Sequence, residues 1–299
     1  MKLIYRNEID LEKWDALVRS KSGAAVFSLS SYLDAVAENW CVFVDEKYSK
    51  GIAVPFTVRL GVKICYTPKF ITYLEWFGAQ KSDFSEVTTC LKAHFPQGFF
   101  SILSASDSNS SDQFVCQVIP LKPDVVYNSQ ANRMFSKFDK ANLKLEYLQE
   151  EKTILEIIRK ELPAKVASLD AKALDSLGVL LAELKKEGLL KTLAVTENGE
   201  IVGGLFLVDF NESVLYLKGA FTKESKKNGA MYGAMKFFIE NTRNEQKIVD
   251  FGGSRVEGVK RFNLNLGGVD RMYSYYEWNH APIWFNVLKS IKNLLKGKK

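Results

Sequence analysis

The stretch of sequence that decides the fold reads DFGGSRVEGVKRFNLNLGG and runs from Asp250 to Gly268. Apolar residues precede it, so we expect a strand over Lys247–Phe251 that ends at the first two glycines. Glycines at the carboxyl end of a strand let a ligand approach the backbone closely, and open α/β sheets bind ligands at that edge. Lys260 and Arg261 could contact phosphate or carboxylate groups of a substrate. Turn glycines beside a surface basic pair would give the same pattern, so both interpretations stay open.

Upstream of this stretch the sequence predicts a sheet with one crossover. The turn dipeptide Asn198-Gly199 between two apolar runs is the strongest hairpin signal in the chain. A third strand, a helix and the strand before Asp250 follow it. The predicted order is Leu189–Thr196, Ile201–Asp209, Val214–Ala220, a helix from about Gly229 to Asn241, and Lys247–Phe251. A hairpin followed by strand, helix and strand implies a mixed sheet with a right-handed connection.

The N-terminal half follows a similar plan. Helices come first, and Asp10 can cap one that runs through Arg19. A hairpin is predicted across Leu60-Gly61, between strands at Gly51–Arg59 and Val62–Tyr66. Ile71–Phe77 is predicted as a further strand. The pattern restarts near Pro120–Asp124. The shared plan of helices followed by a hairpin-rich sheet favours a duplicated fold.

Composition narrows the class of protein. The chain has 299 residues, 46% hydrophobic and 25% charged, which suits two ordinary domains. No apolar run approaches the roughly 20 residues that span a bilayer, and charges at Lys2, Arg6 and Glu8 are unlike a signal peptide. Four widely spaced cysteines predict buried free thiols in a reducing compartment. We therefore expect a cytoplasmic protein.

The chain offers little material for metal or histidine chemistry. It has only two histidines, and its cysteines are not spaced as zinc ligands, so we expect no metal and no His-based triad. The formal net charge of +6 permits anionic partners such as phosphates, tRNA or a lipid surface, and requires none of them.

A second candidate segment joins a strand to a helix at Lys223–Ala234. A glycine at a helix start lets backbone N–H groups approach a phosphate, and the helix dipole favours an anion there. The expected donor-binding residues are Lys226, Lys227, Gly229, Ala230 and Tyr232. A solvated basic loop before an ordinary helix is the alternative, because so short a glycine pattern fits both.

The stretch from Asp250 to Gly268 resembles the signature of the Fem-type peptidoglycan-bridge aminoacyltransferases and their tandem acetyltransferase-like (GNAT) relatives. That signature runs approximately Asp-Phe-Gly-Gly, then Gly, then Phe-Lys-x-x-Phe-Gly-Gly. The residues that match it are Asp250-Phe251-Gly252-Gly253, Gly258, and Phe262 with Leu266-Gly267-Gly268. The helical segment Ser129–Ala141 and the turn from Asn198 to Gly204 are similar to two other family segments. The matches span about residues 123 to 278, and the N-terminal half matches only in layout.

The resemblance implies an α/β (α+β) fold of two acetyltransferase-like units, each a mixed β-sheet flanked by helices. It places an N-terminal unit at 1–124, a C-terminal unit with the site at 125–278, and an amphipathic helix at 279–299 that packs back on the first unit. It also implies an N-acyltransferase, in which an amine attacks an activated carbonyl with no covalent enzyme intermediate. The donor would be acyl-CoA or aminoacyl-tRNA. The acceptor would be a small-molecule or lipid-linked amine of a cell-envelope, sugar or peptide precursor.

Direct attack needs a proton acceptor and backbone N–H groups that stabilise the developing oxyanion. In the family such N–H groups lie where two parallel strands separate, which here would be Val214–Ala220 and Lys247–Phe251. The catalytic candidates are Asp250, Glu257 and Lys260, with Tyr232 and Tyr275 as less favoured bases. The substrate-binding candidates are Arg133, Lys140, Gly252, Gly253, Ser254, Arg261 and Asn263.

One departure from the family pattern bears on function. The signature lysine after Phe262 is Asn263 here, and Lys260 could take its place only if the segment is helical. Two interpretations follow. The protein could be a transferase with a different acceptor, or a non-catalytic relative that binds an envelope precursor or a membrane surface.

Residues 282–299 predict a basic amphipathic helix. Pro282 can start it, apolar residues recur at helical spacing from Trp284 to Leu295, and lysines stand at 289, 292, 296, 298 and 299. Such a helix can dock on the protein or lie on an anionic membrane. We expect docking, with peripheral contact at the inner face of the membrane as the alternative.

Overall fold

The computed structural model describes residues 1–78, 83–103, 110–122, 124–162, 169–253 and 256–296. The chain divides into two compact units. The first unit comprises Met1–Val18, Ala37–Phe114 and Met272–Lys299, and the second comprises Arg19–Val36 and Val115–Arg271. Each contains a mixed β-sheet flanked by helices, so the expected α/β architecture is confirmed.

The sheet of the first unit holds one parallel strand pair. Its described strands, in spatial order, are β1 (Lys2–Tyr5), β2 (Asn39–Val44), β3 (Gly51–Arg59), β4 (Val62–Tyr66), β5 (Gln97–Ile102) and most of β12 (Val269–Asn279). Neighbouring strands are antiparallel except β4 and β5, which run parallel. The hairpin predicted across Leu60-Gly61 is therefore confirmed.

Three helices accompany this sheet: α1 (Leu11–Ser20), α3 (Asp83–His94) and α10 (Ile283–Lys296). Asp10 caps α1, as its Oδ1 accepts a hydrogen bond from the Lys13 N–H at 3.2 Å. Trp14 of α1 is fully buried and meets the Phe77 ring edge-on at 5.8 Å. Among the described residues, no helix combines the length and the apolar character needed to cross a bilayer.

The strand predicted at Ile71–Phe77 is wrong. The segment makes only two isolated bridges, Gly51 with Phe77 and Leu74 with Ile102, which belong to different strands. Its apolar residues resemble those of a strand because most of them are buried. The segment nevertheless passes from β5 to β3 and does not pair along the length of either strand. Burial and a β-rich composition therefore do not by themselves make a strand.

The second unit has the same kind of sheet. Its strands, in spatial order, are β6 (Asp112–Ile119), β11 (Ile248–Gly253), β10 (Ser213–Phe221), β9 (Glu200–Phe210), β8 (Leu190–Glu197) and β7 (Leu143–Leu148). Only β10 and β11 are parallel. The described helices are α2 (Ser30–Val36), α4 (Ser129–Lys140), α5 (Lys152–Glu161), α6 (Ala171–Lys186), α7 (Lys223–Lys227), α8 (Ala230–Asn244) and α9 (Glu257–Asn265).

The local signals of this unit are confirmed. Asn198 and Gly199 both have positive φ, +53° and +86°, as a tight two-residue hairpin turn requires. Helix α8 forms the crossover between the parallel strands β10 and β11, as the predicted order implied. Helix α4 is capped by Asn128, whose Oδ1 accepts from the Ala131 N–H at 2.8 Å.

The bounds of the compact units differ from the predicted domains at 1–124, 125–278 and 279–299. The break falls after Phe114 instead of Asp124, and the chain from Met272 onward belongs to the first unit. The segment Arg19–Val36 belongs to the second unit, because α2 packs on α6. Proline and charge signals mark loops, whereas compactness depends on packing between segments that are distant in sequence.

Candidate active site

The parallel strands β10 and β11 separate after only three residue pairs. The ladder begins at Ser213 opposite Ile248 and ends at Leu215 opposite Asp250. Beyond it, β10 shifts register against β9 between Tyr216 and Lys218, and β11 shifts against β6 between Asp250 and Gly253. Backbone groups of the two strands past this point are not paired with each other, which is the arrangement that backbone stabilisation of an oxyanion requires.

Asp250 stands at the last rung of the ladder and is 5% exposed. Its Oδ2 lies 2.7 Å from Nη2 of Arg271, and its Oδ1 accepts a hydrogen bond from the Gly252 N–H at 2.8 Å. Gly252 has φ +68°, a conformation that a side chain disfavours. Both carboxylate oxygens are therefore engaged, and the geometry favours a positioning role for Asp250 over proton acceptance.

The segment after β11 is a helix, α9. Lys260 lies one turn before Asn263 on this helix, so the condition for Lys260 to replace the signature lysine is met. Lys260 Nζ lies 3.1 Å from Asp270 Oδ2. Asp270 Oδ1 accepts from Gln117 Nε2 at 2.9 Å, and Gln117 Oε1 accepts from Asn263 Nδ2 at 3.1 Å.

Asn263 is only 1% exposed, so the structure does not place it where a substrate could reach it. Its amide nitrogen fixes α9 to Gln117 of β6, and no described residue donates a hydrogen bond to its Oδ1. The substrate-binding role expected for Asn263 does not fit this position. Its buried amide instead ends the polar chain that leads through Gln117 and Asp270 to Lys260.

The second glycine pair of the signature closes α9. Gly267 has φ +86° and its N–H donates to the Leu264 carbonyl at 3.1 Å, while the Gly268 N–H donates to the Asn263 carbonyl at 3.0 Å. These two bonds form a Schellman cap. Gly267 and Gly268 therefore end a helix and do not offer backbone to a ligand.

The remaining candidates near β11 lie on the surface. Gly253, Glu257 and Arg261 are exposed, and Gly252 is half-buried. Glu257 is the first residue of α9, so its carboxylate also suits the positive end of the helix dipole. Ser254 lies outside the described residues.

The predicted donor segment forms α7, a glycine and the start of α8. Gly229 has φ +84°, and a β-carbon there would lie 2.4 Å from the Met134 carbonyl oxygen of α4. The glycine is therefore needed for α4 to pack on α8, which the sequence does not reveal. Ala230 is fully buried beside it, Lys227 is exposed, and Lys226 Nζ lies 3.9 Å from Glu161 Oε2.

Tyr232 lies within an aromatic and amide cluster. Its hydroxyl accepts from Gln130 Nε2 at 3.4 Å, and its ring meets Phe262 of α9 at 5.0 Å. Burial raises the pKa of the Tyr232 phenol, and hydrogen bonds from Asn265 and Gln130 oppose that shift. Tyr232 therefore joins α4, α8 and α9, and its hydroxyl already has a protein partner.

Arg133 and Lys140 are both exposed on α4. Arg133 immediately precedes Met134, whose carbonyl lies against Gly229 at the start of α8. The positive charge of Arg133 opposes the rise in the pKa of the Tyr232 phenol. The structure thus gathers Arg133, Lys226 and Lys227 around the beginning of α8.

One residue that no sequence motif indicated stands on β10 beyond the last rung of the ladder. Lys218 is opposite the buried Phe206 and directly follows the register shift. Burial lowers the pKa of its ammonium group from the ordinary 10.5. None of the described residues forms an ion pair with it. The available signal was a single lysine inside the otherwise apolar run Val214–Phe221.

Within the described ranges, no group of three or more histidine, cysteine, aspartate or glutamate side chains is arranged to hold a metal ion.

No protein-family model matches the sequence, and no curated protein does either. Solved structures do match. The crystal structure of FemX superposes with a TM-score of 0.66 at 11% identity, covering 93% of this chain and 98% of FemX. L-PGS from Bacillus licheniformis gives 0.55 at 13% identity, with 97% of each chain covered. A tandem GNAT protein from the clavulanic acid biosynthesis pathway gives 0.54 at 10% identity, covering 94% of this chain and 99% of that one.

The chain therefore has a tandem acetyltransferase-like fold. The similarity to Fem-type and tandem GNAT structures, expected from the residues at 250–268, is confirmed at the level of the fold. At identities of 10–13% the similarity establishes the fold and does not establish the activity.

Proposed function

We propose that this protein is an N-acyltransferase that passes an acyl or aminoacyl group from an activated donor to an amine by direct attack. The observation that carries the proposal is the separation of β10 and β11 after Leu215 and Asp250. A carbonyl held there would meet backbone N–H groups, and the attacking amine would need no covalent enzyme intermediate. The fold shared with FemX, L-PGS and a tandem GNAT protein supports this choice.

The roles of individual residues follow from their surroundings. Asp250, held by Arg271, shapes the end of β11 through Gly252. Lys218 is our candidate for the proton acceptor, because a lysine whose pKa is lowered by burial exists more often in the neutral form. Lys260, at the surface end of the Asn263–Gln117–Asp270 chain, is our candidate contact for an acidic group of the acceptor.

The donor is acyl-CoA or aminoacyl-tRNA, and both carry phosphates. Arg133, Lys226 and Lys227 around the start of α8 suit either. Met134 packs against Gly229 and narrows the space at that helix start, which favours aminoacyl-tRNA over a tightly held pyrophosphate. The acceptor we propose is an amine on a cell-envelope, sugar or peptide precursor, either a small molecule or lipid-linked.

Thermal unfolding in the presence of each donor tests the proposal. Charged tRNA should raise the Tm and coenzyme A should raise it less, with uncharged tRNA as the matched control. The combined variant Lys226→Gln and Lys227→Gln should lose the shift. If neither donor changes the Tm of the native chain at any concentration, the transferase proposal is wrong.

Two observations favour a second candidate function, a transferase relative that binds without catalysis. The buried Asn263 stands where the family signature has a lysine, and Asp250 is committed to an ion pair with Arg271. Turnover separates the two functions. A catalyst should lose turnover in Lys218→Met and Lys260→Ala while both stay folded, whereas a binding module should show donor or precursor binding and no turnover in any variant.

A further inference from the structure

Helix α10 exposes a row of large apolar side chains. The exposed fractions are 83% for Ile283, 50% for Trp284, 51% for Val287, 46% for Leu288 and 48% for Ile291. Trp284, Val287, Leu288 and Ile291 follow the i, i+3, i+4, i+7 spacing that places them on one stripe of the helix. We call these five residues the α10 stripe. Single exposed apolar residues are ordinary, but five on one short helix form a patch that marks an interaction surface.

A different side of the helix holds it on the first unit. Phe285 is 4% exposed and packs with Ala281 and with Val62 and Ile64 of β4. Lys289 Nζ donates to Gln97 Oε1 at 3.3 Å, and Asn286 Nδ2 donates to the Ala281 carbonyl at 3.1 Å. Because this other side docks the helix on the first unit, the stripe is exposed even though the helix is attached. The helix is fixed in place with its stripe facing outward.

The charge of this region identifies the partner. From Trp278 to the end of the chain there are five lysines, at 289, 292, 296, 298 and 299, and no aspartate or glutamate. A helix that exposes an apolar stripe, in a segment that carries lysines and no acidic residue, is complementary to an anionic lipid surface. At such a surface apolar side chains enter the acyl boundary and ammonium groups meet the head-group phosphates. Tryptophan, as at 284, is favoured at that boundary.

We propose that α10 is a pre-docked membrane anchor: it lies in the interface of an anionic bilayer through the α10 stripe while Phe285 keeps it attached to the first unit. Membrane binding through α10 requires no transferase chemistry. If that chemistry also holds, the anchor brings the enzyme to a surface where lipid-linked acceptors reside.

Vesicle flotation of the full chain tests the anchor. Vesicles of phosphatidylcholine with phosphatidylglycerol should carry the protein, vesicles of phosphatidylcholine alone should carry at least about tenfold less, and raising the salt should release it. The stripe variant Trp284→Gln, Val287→Gln, Leu288→Gln, Ile291→Gln should lose flotation by a similar factor. About half of each of these side chains is exposed, so the variant should stay folded, with a Tm close to that of the native chain.

A charge-matched pair controls for net charge. The tail variant Lys292→Gln, Lys296→Gln, Lys298→Gln, Lys299→Gln should lose most binding to anionic vesicles. The control variant Lys2→Gln, Lys47→Gln, Lys172→Gln, Lys186→Gln removes the same charge from exposed positions elsewhere and should float like the native chain. Equal loss in both charge variants would mean that net charge alone attracts the protein, and would overturn the anchor.

Two further outcomes would also overturn it. One is a native chain that stays with the soluble fraction in the presence of anionic vesicles. The other is a stripe variant that floats as well as the native chain. The rival partner for the stripe is a second copy of the chain, which sedimentation equilibrium tests. A native chain that forms a dimer and does not bind lipid, with a stripe variant that stays monomeric, would show that the stripe is a dimer interface and would overturn the anchor.

Discussion

The carboxylate of Asp250 lies 2.7 Å from the guanidinium of Arg271, and only 6% of the Asp250 side chain is exposed. The pair joins the last rung of the parallel ladder to the first part of β12. A buried ion pair contributes little net stability by itself, but removing one partner leaves an uncompensated charge. The two residues should therefore behave as one unit under mutation.

A double-mutant cycle on this pair tests that expectation. Arg271→Gln should cost about 3–5 kcal/mol of unfolding free energy, because it strands the more buried charge. Asp250→Asn should cost less, since the amide oxygen can still accept from Gly252. The double variant should cost clearly less than the two single losses added, by about 1 kcal/mol or more. Urea unfolding followed by circular dichroism measures all three, and additive losses would contradict the coupling.

The same variants separate positioning from proton acceptance at Asp250. If Asp250 acts by shaping the end of β11, Asp250→Asn and Arg271→Gln should lower turnover by similar factors, with the pH profile unchanged. A proton acceptor would behave differently, because only Asp250→Asn would then abolish turnover. Steady-state rates across pH distinguish the two cases.

Lys218 should reduce stability at neutral pH. Its pKa is lower in the folded chain than the ordinary 10.5, so the unfolded chain binds more protons and stability rises with pH between the two values. Lys218→Met removes this cost and should raise the unfolding free energy by about 1 kcal/mol at pH 7. The gain should shrink as the pH approaches 10.5. A gain that does not change with pH would show that packing, and not the ammonium charge, is responsible.

Gly229 should tolerate no side chain. Gly229→Ala adds a β-carbon 2.4 Å from the Met134 carbonyl oxygen at a φ of +84°. Gly188→Ala is the matched control, since Gly188 has φ +70° with nothing within 4 Å of the new carbon. The control should cost about 1 kcal/mol of backbone strain, and Gly229→Ala should cost about 1–3 kcal/mol more. If thermal unfolding shows the same loss of stability for both variants, α4 can move away from the new β-carbon without a free-energy penalty.

Restoring the signature lysine should not restore the family site. Asn263→Lys would bury an ammonium at a position that is 1% exposed and would break the bond to Gln117, so we expect a loss of about 3 kcal/mol or more. Leu264→Lys, next along the helix and 41% exposed, should change stability by only about 0.5 kcal/mol. A stable Asn263→Lys variant with raised turnover would refute the structural role of Asn263.

Only one of the four thiols should react quickly in the native chain. Cys41, Cys65 and Cys116 are buried, and burial raises the pKa of each thiol, that of Cys116 to about 11. Cys90 is partly exposed. Titration with Ellman's reagent should therefore count one thiol before denaturation and four in urea. Two or more fast thiols in the native chain would contradict the described burial.

The sequence was sufficient for those parts of the fold that depend on local chemistry. Asn198-Gly199 predicts its hairpin because few other dipeptides accept two positive φ values, and Asp10 predicts a helix start because its carboxylate can accept a backbone N–H. The crossover through α8 followed from element order. These signals act over a few residues, so the rest of the chain does not alter them.

The site was harder to predict because its residues are defined by their partners. Gly229 and Gly267 both fit the pattern of glycines that bind a ligand through the backbone. In the structure, Gly229 allows α4 to pack closely on α8, and Gly267 caps the end of α9. Asn263 was expected to bind substrate, but it is buried and its amide donates to Gln117. Lys218 lacks any sequence motif, and only the register shift and the burial around it distinguish it. Each of these facts depends on contacts between residues far apart in the chain.

The segment from Ile71 to Phe77 distinguishes the first unit from the second at the end of the parallel strand pair. In the first unit, β4 and β5 start as a parallel pair just as β10 and β11 do. There, however, Thr67 Oγ1 accepts from the Ser101 N–H at 2.8 Å, and Leu74 bonds the Ser101 carbonyl at 2.8 Å and the Leu103 N–H at 2.9 Å. The amides that could have faced a reacting carbonyl are saturated by the chain itself. The first unit is therefore closed at this point by its own chain, and for that reason we place the proposed chemistry in the second unit.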